Sequence, residues 1–302
     1  MRLAVAATPD VALPTLREIL KSEHELIAVI TQPDKPAGRG KELRETPVSV
    51  WAKTNNVLLI KPENPSELKE ISKEVDCVIT IGYGVILPEE IINLPKNGYL
   101  NLHFSLLPRW RGAAPVQRAI EAGDTKSGVT VFQLDKGMDT GPIYIQKEIQ
   151  VDPQFRSSDL FSKLAEIGAQ AVVESLALIE SGVAAHPQNN EMASRAMKIS
   201  KEEARINWSK NSQNILREIK AFYPAPISWT IFRGDSFRIE NAQSSSVTGL
   251  AQGELKVLAN TLHVGTGDGS IEILEIIPAG KKPLHVSTWL NGARISSGER
   301  FD

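Results

Sequence analysis

An asparagine and a histidine lie two residues apart, at Asn101 and His103, near the end of an apolar segment. Alternate residues of a β-strand share one face, so both side chains would point the same way. An amide N–H stabilises an oxyanion, and an imidazole moves a proton or, as a cation, stabilises negative charge. A structural interpretation is equally open, in which Asn101 caps a turn and His103 satisfies a buried backbone group. The spacing alone does not choose between the two.

A second polar run, residues 134–142, follows another apolar segment and holds two aspartates and two glycines. Either Asp135 or Asp139 could orient a histidine or accept a proton. The alternative is ordinary turn chemistry, since Asp-x-Gly and Asp-Thr-Gly are common in turns. Taken by itself, this run favours the structural role.

The first half of the chain alternates short β-rich apolar runs with helical patterns, which indicates βαβ units and a mostly parallel, doubly wound α/β sheet. Ligands bind beyond the carboxyl ends of the strands in such sheets, where Asn101, His103 and the 134–142 run would lie. The predicted strands are 3–7, 26–31, 57–60, 77–82, 99–103 and 129–134, and the predicted helices are 12–21, 48–55, 66–74 and 115–122.

A long amphipathic helix is predicted over 157–180, and the composition changes between 182 and 206. Beyond it, a helix over 213–222 precedes several short strand-like runs, and Asp268-Gly269 is a hairpin signal. These runs predict a small β-barrel, with strands at 228–232, 236–242, 254–259, 261–264 and 270–276. We therefore expect a first domain over 1–185, a linker over 186–205 and a β-barrel domain over 206–302.

Composition supports this division and excludes several classes of protein. The 302 residues are about twice the usual size of one domain, and 41% apolar with 23% charged residues excludes a disordered chain. No apolar stretch approaches the length of a membrane span, and residues 1–8 are predicted to form a strand rather than a signal peptide. The single cysteine, Cys77, indicates a reducing compartment, so we expect a cytoplasmic protein. A formal net charge of −2 argues against a strongly basic nucleic-acid binder.

The two polar runs together resemble the formyltetrahydrofolate-dependent formyltransferases. The resemblance rests on Asn101-x-His103 followed by 105–108, and on Asp135-x-Gly137-x-Asp139-Thr140-Gly141. Within that family the chain is similar to the branch that acts on methionyl-tRNA. The motifs that carry this further similarity are at 31–41, 108–115, 199–208 and 278–282, so the resemblance covers nearly the whole chain.

The resemblance implies a Rossmann-like catalytic domain, a linker and a C-terminal barrel similar to an OB-fold. It implies an enzyme that moves the formyl group of formyl-tetrahydrofolate to the α-amino group of methionine on initiator methionyl-tRNA, in translation initiation. The family's catalytic set falls on Asn101, His103 and Asp139, and no metal is implied. Its folate-contacting segment falls on Ser105, Leu106, Leu107 and Pro108. The chain departs from the expected pattern at two positions, where Phe104 replaces a small residue and Asn207 replaces an aspartate.

The loop over 34–44 carries Lys35, Arg39 and Lys41. The resemblance implies that this loop reaches the acceptor end of the tRNA, with Arg39 as the foremost contact, whereas a solvated mixed-charge loop is the usual alternative. The C-terminal domain offers little charge for RNA, with ten basic and nine acidic residues over 206–302. A net charge of −2 remains compatible with an RNA substrate if the basic residues that contact RNA are confined to a short loop and a few lysines. We expect a monomer.

Three other functions stay under consideration. A nucleotide-dependent dehydrogenase would need a glycine-rich loop after the first strand, and Thr8-Pro9-Asp10 stands there instead. A non-catalytic RNA-binding module would not need the folate segment. Formyltransferases that act on small amines would share Asn101, His103 and Asp139, so the catalytic set does not exclude them.

Overall fold

The computed structural model describes residues 1–37 and 42–302. The chain divides into two compact units, and the division is not a single cut in the sequence. The first unit comprises Met1–Pro115, Lys126–Gln150 and Phe161–Ala196. The second comprises Val116–Thr125, Val151–Leu160 and Met197–Asp302.

Up to residue 196 the chain forms strands and α-helices that alternate in part. The strands are β1 (Arg2–Ala7), β2 (Glu25–Ile30), β3 (Lys35–Ala37), β4 (Glu42–Arg44), β5 (Leu58–Ile60), β6 (Cys77–Ile81), β7 (Tyr99–His103), β8 (Arg111–Gly112), β9 (Lys126–Gln133), β10 (Ile143–Gln150) and β11 (Arg195–Ala196). The helices are α1 (Leu13–Lys21), α2 (Pro47–Thr54), α3 (Lys69–Glu74), α4 (Glu89–Ile92), α5 (Pro115–Ala122) and α6 (Ser157–Glu180).

The central sheet has the strand order β10-β9-β7-β6-β1-β2-β5. The five strands from β5 to β7 pair in parallel, whereas β9 and β10 are antiparallel additions at one edge. Leu3–Ala7 of β1 are completely buried, as expected for a parallel strand covered on both faces. The predicted mostly parallel, doubly wound sheet is confirmed. Sequence analysis missed β10, an edge strand whose residues are all partly or fully exposed.

Local sequence explains where the elements begin. Thr46 precedes α2 and its hydroxyl accepts a hydrogen bond from Ser49 N at 3.0 Å, while Pro47 occupies the first helical turn, where no N–H partner is required. Asn211 caps α7 (Ser212–Ala221) in the same way, by accepting from Asn214 N at 2.8 Å. Both helices therefore start at a polar cap that their sequences supply.

The C-terminal part is an antiparallel sheet followed by a short helix, α8 (Val286–Ala293). Its strands are β12 (Ser228–Phe232), β13 (Asp235–Ser244), β14 (Leu255–Leu258), β15 (Thr261–Gly265), β16 (Ser270–Pro278) and β17 (Leu284–His285). The strand order is β12-β13-β16-β15-β14, and β17 pairs with β16. The backbone of residues 299–302 closes the sheet, because Asp302 exchanges hydrogen bonds with Ile231 of β12 and Leu255 of β14 donates to Glu299. The predicted small barrel therefore corresponds to a ring of strands around an aromatic core that includes Phe237 and Phe301.

Candidate active site

Strand β7 determines which way the candidate catalytic side chains point. Leu102, between Asn101 and His103, is buried on the opposite face against α6. The helix approaches so closely that a Cβ atom on Gly168 would lie 2.7 Å from Leu102 Cδ2. Asn101 and His103 therefore share the other face of the sheet, as the strand alternation predicts.

The amide of Asn101 is oriented by a buried hydroxyl on the neighbouring strand β6. Asn101 Nδ2 donates to Thr80 Oγ1 at 2.8 Å, and Thr80 Oγ1 in turn donates to the Leu100 carbonyl at 2.9 Å. Because the Thr80 proton is already used, its oxygen can only accept from Asn101, which fixes which end of the amide carries nitrogen. Among the described residues the second Nδ2 hydrogen has no protein partner, so it can bind a developing oxyanion.

His103 is buried and has a defined tautomer. Its Nε2 donates to the Trp110 carbonyl at 2.9 Å, and a carbonyl can only accept, so Nε2 carries the proton and Nδ1 holds the lone pair of the neutral ring. Burial lowers the pKa of His103, because loss of hydration outweighs the attraction of Asp139 and the hydrogen bond to Trp110. The ring is therefore neutral at neutral pH and can accept a proton at Nδ1.

The carboxylate of Asp139 faces this nitrogen. Its Oδ2 lies 3.7 Å from His103 Nδ1 and accepts a hydrogen bond from the backbone N–H of Gly112 at 2.7 Å. Asp139 has a positive φ of 54°, a conformation that aspartate tolerates better than most residues. The loop before it is braced by Asp135, whose Oδ1 accepts from Gly137 N at 2.9 Å and from Thr140 Oγ1 at 2.7 Å. Of the two aspartates in the sequence motif, Asp139 therefore faces the histidine and Asp135 shapes the turn.

The predicted folate segment, Ser105 to Pro108, forms a tight turn directly after β7. Thr130 on β9 holds it from beneath, since its hydroxyl donates to the Ser105 carbonyl at 2.7 Å and accepts from Leu107 N at 3.1 Å. Gln146 on β10 donates to the Leu107 carbonyl at 2.7 Å. The missed strand β10 therefore supports the segment that sequence analysis assigned to folate.

One glycine and one aromatic residue set the shape of this segment and of the residue before it. A Cβ atom on Gly128 would lie 2.5 Å from Leu106 Cδ2, so glycine is needed for Leu106 to settle against β9. Phe104, one of the two departures from the family pattern, is buried edge-to-face on Phe161 with ring centroids 5.6 Å apart. Asn207, the other departure, accepts from Ser209 N at 3.0 Å and Ser209 Oγ at 2.7 Å, which stabilises a local turn.

Sequence analysis missed the residues that hold the catalytic set in place. The backbone of Trp110 and Arg111 binds Ser194, since Trp110 N donates to Ser194 Oγ at 2.9 Å and Arg111 N donates to the Ser194 carbonyl at 2.9 Å. Strands β8 and β11 pair in parallel just beyond these contacts. Residues 194–196, expected to lie within a linker, therefore run along the loop that carries Trp110. Most of these bonds use backbone atoms, which leave no residue-type signal in a sequence.

The basic loop is described only in part. Lys35 Nζ donates to Gln32 Oε1 at 2.7 Å, whereas Arg39 and Lys41 lie outside the described residues. A cleft of about 850 Å³ opens beside Lys35 near the carboxyl ends of β1 and β2. Its walls combine apolar, amide, basic and acidic side chains, among them Leu13, Gln32, Leu43, Arg44, Glu45 and Val50.

Two kinds of feature are absent from residues 1–37 and 42–302. No group of three or more His, Cys, Asp or Glu side chains converges in a way that could hold a metal ion. No helix in this part of the chain is long and apolar enough to cross a membrane.

Comparison with known proteins gives two family matches and full-length relatives. Residues 1–176 match the family described as formyl transferase, and residues 198–294 match the formyl transferase C-terminal domain. A methionyl-tRNA formyltransferase from Streptomyces griseus is 41% identical over 99% of both chains, and one from Salinispora tropica is 40% identical over 99% of both. Among solved structures, HypX from Aquifex aeolicus in complex with tetrahydrofolic acid has a TM-score of 0.69 at 17% identity, over 96% of this chain and 46% of that one.

Proposed function

The chain belongs to the formyl transferase family, and we propose that it transfers the formyl group of formyl-tetrahydrofolate to the α-amino group of methionine on initiator methionyl-tRNA. The observation that carries the chemistry is the position of His103, a neutral buried base held between the Trp110 carbonyl and the Asp139 carboxylate. Full-length identity of about 40% to methionyl-tRNA formyltransferases supports tRNA, rather than a small amine, as the acceptor.

The reaction begins with attack of the neutral α-amine on the formyl carbon. An α-amine has a pKa of about 8, so a useful fraction is neutral at pH 7. The carbonyl oxygen becomes an oxyanion, and the unpartnered Asn101 N–H donates to it. The attacking nitrogen gains positive charge and must lose a proton.

His103 takes that proton at Nδ1. The resulting imidazolium lies 3.7 Å from the Asp139 carboxylate, which stabilises it, and the same cation helps to stabilise the oxyanion. Collapse of the intermediate breaks the bond from carbon to the folate nitrogen, and the proton passes from His103 to that departing nitrogen. The cycle returns a neutral histidine and needs no covalent enzyme intermediate.

The residues around this site suit the folate. Formyl-tetrahydrofolate supplies an activated formyl group on nitrogen, and its ring system is flat and partly apolar. β6 runs parallel to β7, and Ile86, in the loop that follows β6, offers an apolar side chain that is 83% exposed. Ser105, Leu106, Leu107 and Pro108 would hold the same co-substrate from the β7 turn.

The acceptor end of the tRNA would reach the site from the side of β7 on which β1 and β2 lie. Strands lie about 4.8 Å apart, so the ends of β1 and β2 are about 10 to 14 Å from β7. That distance suits a terminal nucleotide whose attached methionine extends to His103. The cleft beside Lys35 and Arg44 offers basic side chains that can bind phosphate at this position. Arg39 and Lys41 are proposed to contribute.

The remaining assignments follow from this function. Residues 1–185 are proposed as the catalytic domain, 186–205 as the linker and 206–302 as the domain that contacts tRNA. The enzyme is proposed to act in the cytoplasm as a monomer, and its single cysteine, Cys77, is buried and reduced. Burial raises the pKa of this thiol to about 12, so it takes no part in catalysis.

Transfer of a labelled formyl group tests the proposal. The purified chain is incubated with labelled formyl-tetrahydrofolate and either charged initiator tRNA, uncharged tRNA or small amines. We expect label only on charged initiator tRNA, and loss of about a hundredfold or more in Asn101→Ala with folding intact. Label on a small amine in preference to tRNA would refute the acceptor, and normal turnover in Asn101→Ala would refute the role of the amide.

A further inference from the structure

Gln188 joins two parts of the active site that the sequence keeps far apart. Its Nε2 donates to the Asp139 carbonyl at 3.0 Å and to the Gly141 carbonyl at 2.8 Å. Its Oε1 accepts from Arg111 Nε at 3.1 Å and from Arg111 Nη2 at 2.6 Å. All the hydrogen-bonding groups of this amide are therefore used, and its orientation is determined from both ends.

The two segments that Gln188 joins are the loop that carries Asp139 and the strand that binds the Asp139 carboxylate. The Asp139 carboxylate accepts a hydrogen bond from Gly112 N at 2.7 Å, and Gly112 follows Arg111 in β8. Gln188 therefore ties the backbone of the aspartate to the strand that binds its side chain. A φ of 54° is unfavourable for aspartate, so contacts with neighbouring segments, such as those made by Gln188, must stabilise this backbone conformation.

Gln188 lies between the two family matches, which end at 176 and begin again at 198. Resting on the formyl transfer proposed above, we infer that Gln188 is a positioning residue for that reaction: it holds the Asp139 loop in the geometry that places the carboxylate opposite His103 Nδ1. The substrate does not touch it. Its contribution passes through Asp139.

A purely structural alternative makes a different prediction. Gln188 could serve only as an acceptor for the guanidinium of Arg111, in which case the bonds to the Asp139 loop would be incidental. Replacement by glutamate separates the two roles. A glutamate still accepts from Arg111, more strongly than the amide, but its second oxygen would face the carbonyls of Asp139 and Gly141 and repel them.

The experiment compares three variants of the full chain, Gln188→Ala, Gln188→Glu and Asn190→Ala. Asn190 is the matched control, because its Oδ1 also accepts from Arg111 Nη2, at 2.8 Å, without touching the Asp139 loop. For Gln188→Ala and Gln188→Glu we expect kcat to fall by about tenfold, with KM for formyl-tetrahydrofolate and tRNA within about twofold of wild type. For Asn190→Ala we expect kcat within about twofold of wild type.

A second readout does not depend on turnover. The side chain of His103 is titrated by NMR in the same variants, and melting temperatures are recorded alongside. Loosening Asp139 removes a charge that favours the imidazolium, so Gln188→Ala is expected to titrate at lower pH than wild type and Asn190→Ala is not. The inference is overturned if Gln188→Glu keeps full kcat, or if Gln188→Ala leaves both kcat and the His103 titration unchanged. A wild-type enzyme that formylates no methionyl-tRNA would refute the proposed function instead, while the titration would still decide whether Gln188 positions Asp139.

Discussion

Replacement of Asp139 by asparagine removes the charge that faces His103 and keeps the shape of the loop. The amide oxygen of asparagine can still accept the hydrogen bond from Gly112 N, which spans 2.7 Å. Asparagine also tolerates the positive φ at this position. The variant therefore isolates the electrostatic role of the carboxylate from its structural role.

The size of the effect follows from the distance. Two unit charges 3.7 Å apart attract by about 4 kcal/mol at an effective dielectric constant of about 20. This figure is an upper limit, since the Asp139 side chain is 16% exposed and water screens part of the interaction. The charge pair forms only when His103 becomes an imidazolium, so the loss falls on the transition state. With tenfold in rate for about 1.4 kcal/mol, we expect kcat to fall by between about a hundredfold and about a thousandfold.

The pH dependence of the transfer rate tests the interaction between Asp139 and His103 independently. His103 must be neutral to accept a proton, so the rate falls when the pH drops below the pKa of His103. That pKa lies below the ordinary value of about 6.5, because the ring is buried, and Asp139 offsets part of the shift. Removal of the carboxylate lowers the pKa of His103 further, so the acidic limb of the rate profile moves to lower pH. The limb caused by protonation of the substrate amine, near pH 8, stays where it is.

The assay is single-turnover transfer of labelled formyl to charged initiator tRNA between pH 5 and pH 9. Asp135→Asn is the matched control, because it removes the same charge from the same loop and keeps the oxygen that accepts from Gly137 and Thr140. We expect its rate to stay within a few-fold of wild type. A rate within threefold of wild type for Asp139→Asn, or an equal loss in Asp135→Asn, would refute the assignment of Asp139 to His103.

Three further predictions test other parts of the site. Thr80→Val removes the hydroxyl that orients Asn101 and should lower kcat by about threefold to tenfold, whereas Thr80→Ser should restore it in the same formyl-transfer assay. Gly141→Ala would place a Cβ atom 1.8 Å from the Gln133 carbonyl oxygen, so urea denaturation should show a loss of about 3 kcal/mol in the free energy of unfolding; an unchanged midpoint would contradict the close approach. Arg39→Glu should raise KM for tRNA and reduce the salt dependence of tRNA binding by about one to two ion equivalents, with KM for folate unaltered; an unchanged affinity for tRNA would reject the role of the loop.

Much of the fold could be predicted because it depends on local patterns. Strand β7 was predicted at its observed bounds, 99–103, and α6 at 157–180, since hydrophobic periodicity reports which face of an element is buried. Strand β10 was missed because it is an edge strand whose residues are all partly or fully exposed, so it carries no buried apolar run. The average charge was similarly uninformative, since a net charge of −2 says nothing about where Lys35 or Arg44 lies.

The sequence by itself determined the types of residue that do the chemistry, and the alternation of β7 determined that Asn101 and His103 share a face. The spacing alone left Asp135 and Asp139 undistinguished, the family resemblance assigned the catalytic role to Asp139, and Gln188 was placed in a linker. Only the tertiary structure decided that Asp139 faces His103, that the Trp110 carbonyl sets the tautomer of the ring, and that Gln188 binds the Asp139 loop. The physical reason is that these contacts join segments far apart along the chain and largely use backbone groups, which every residue carries and no sequence motif records.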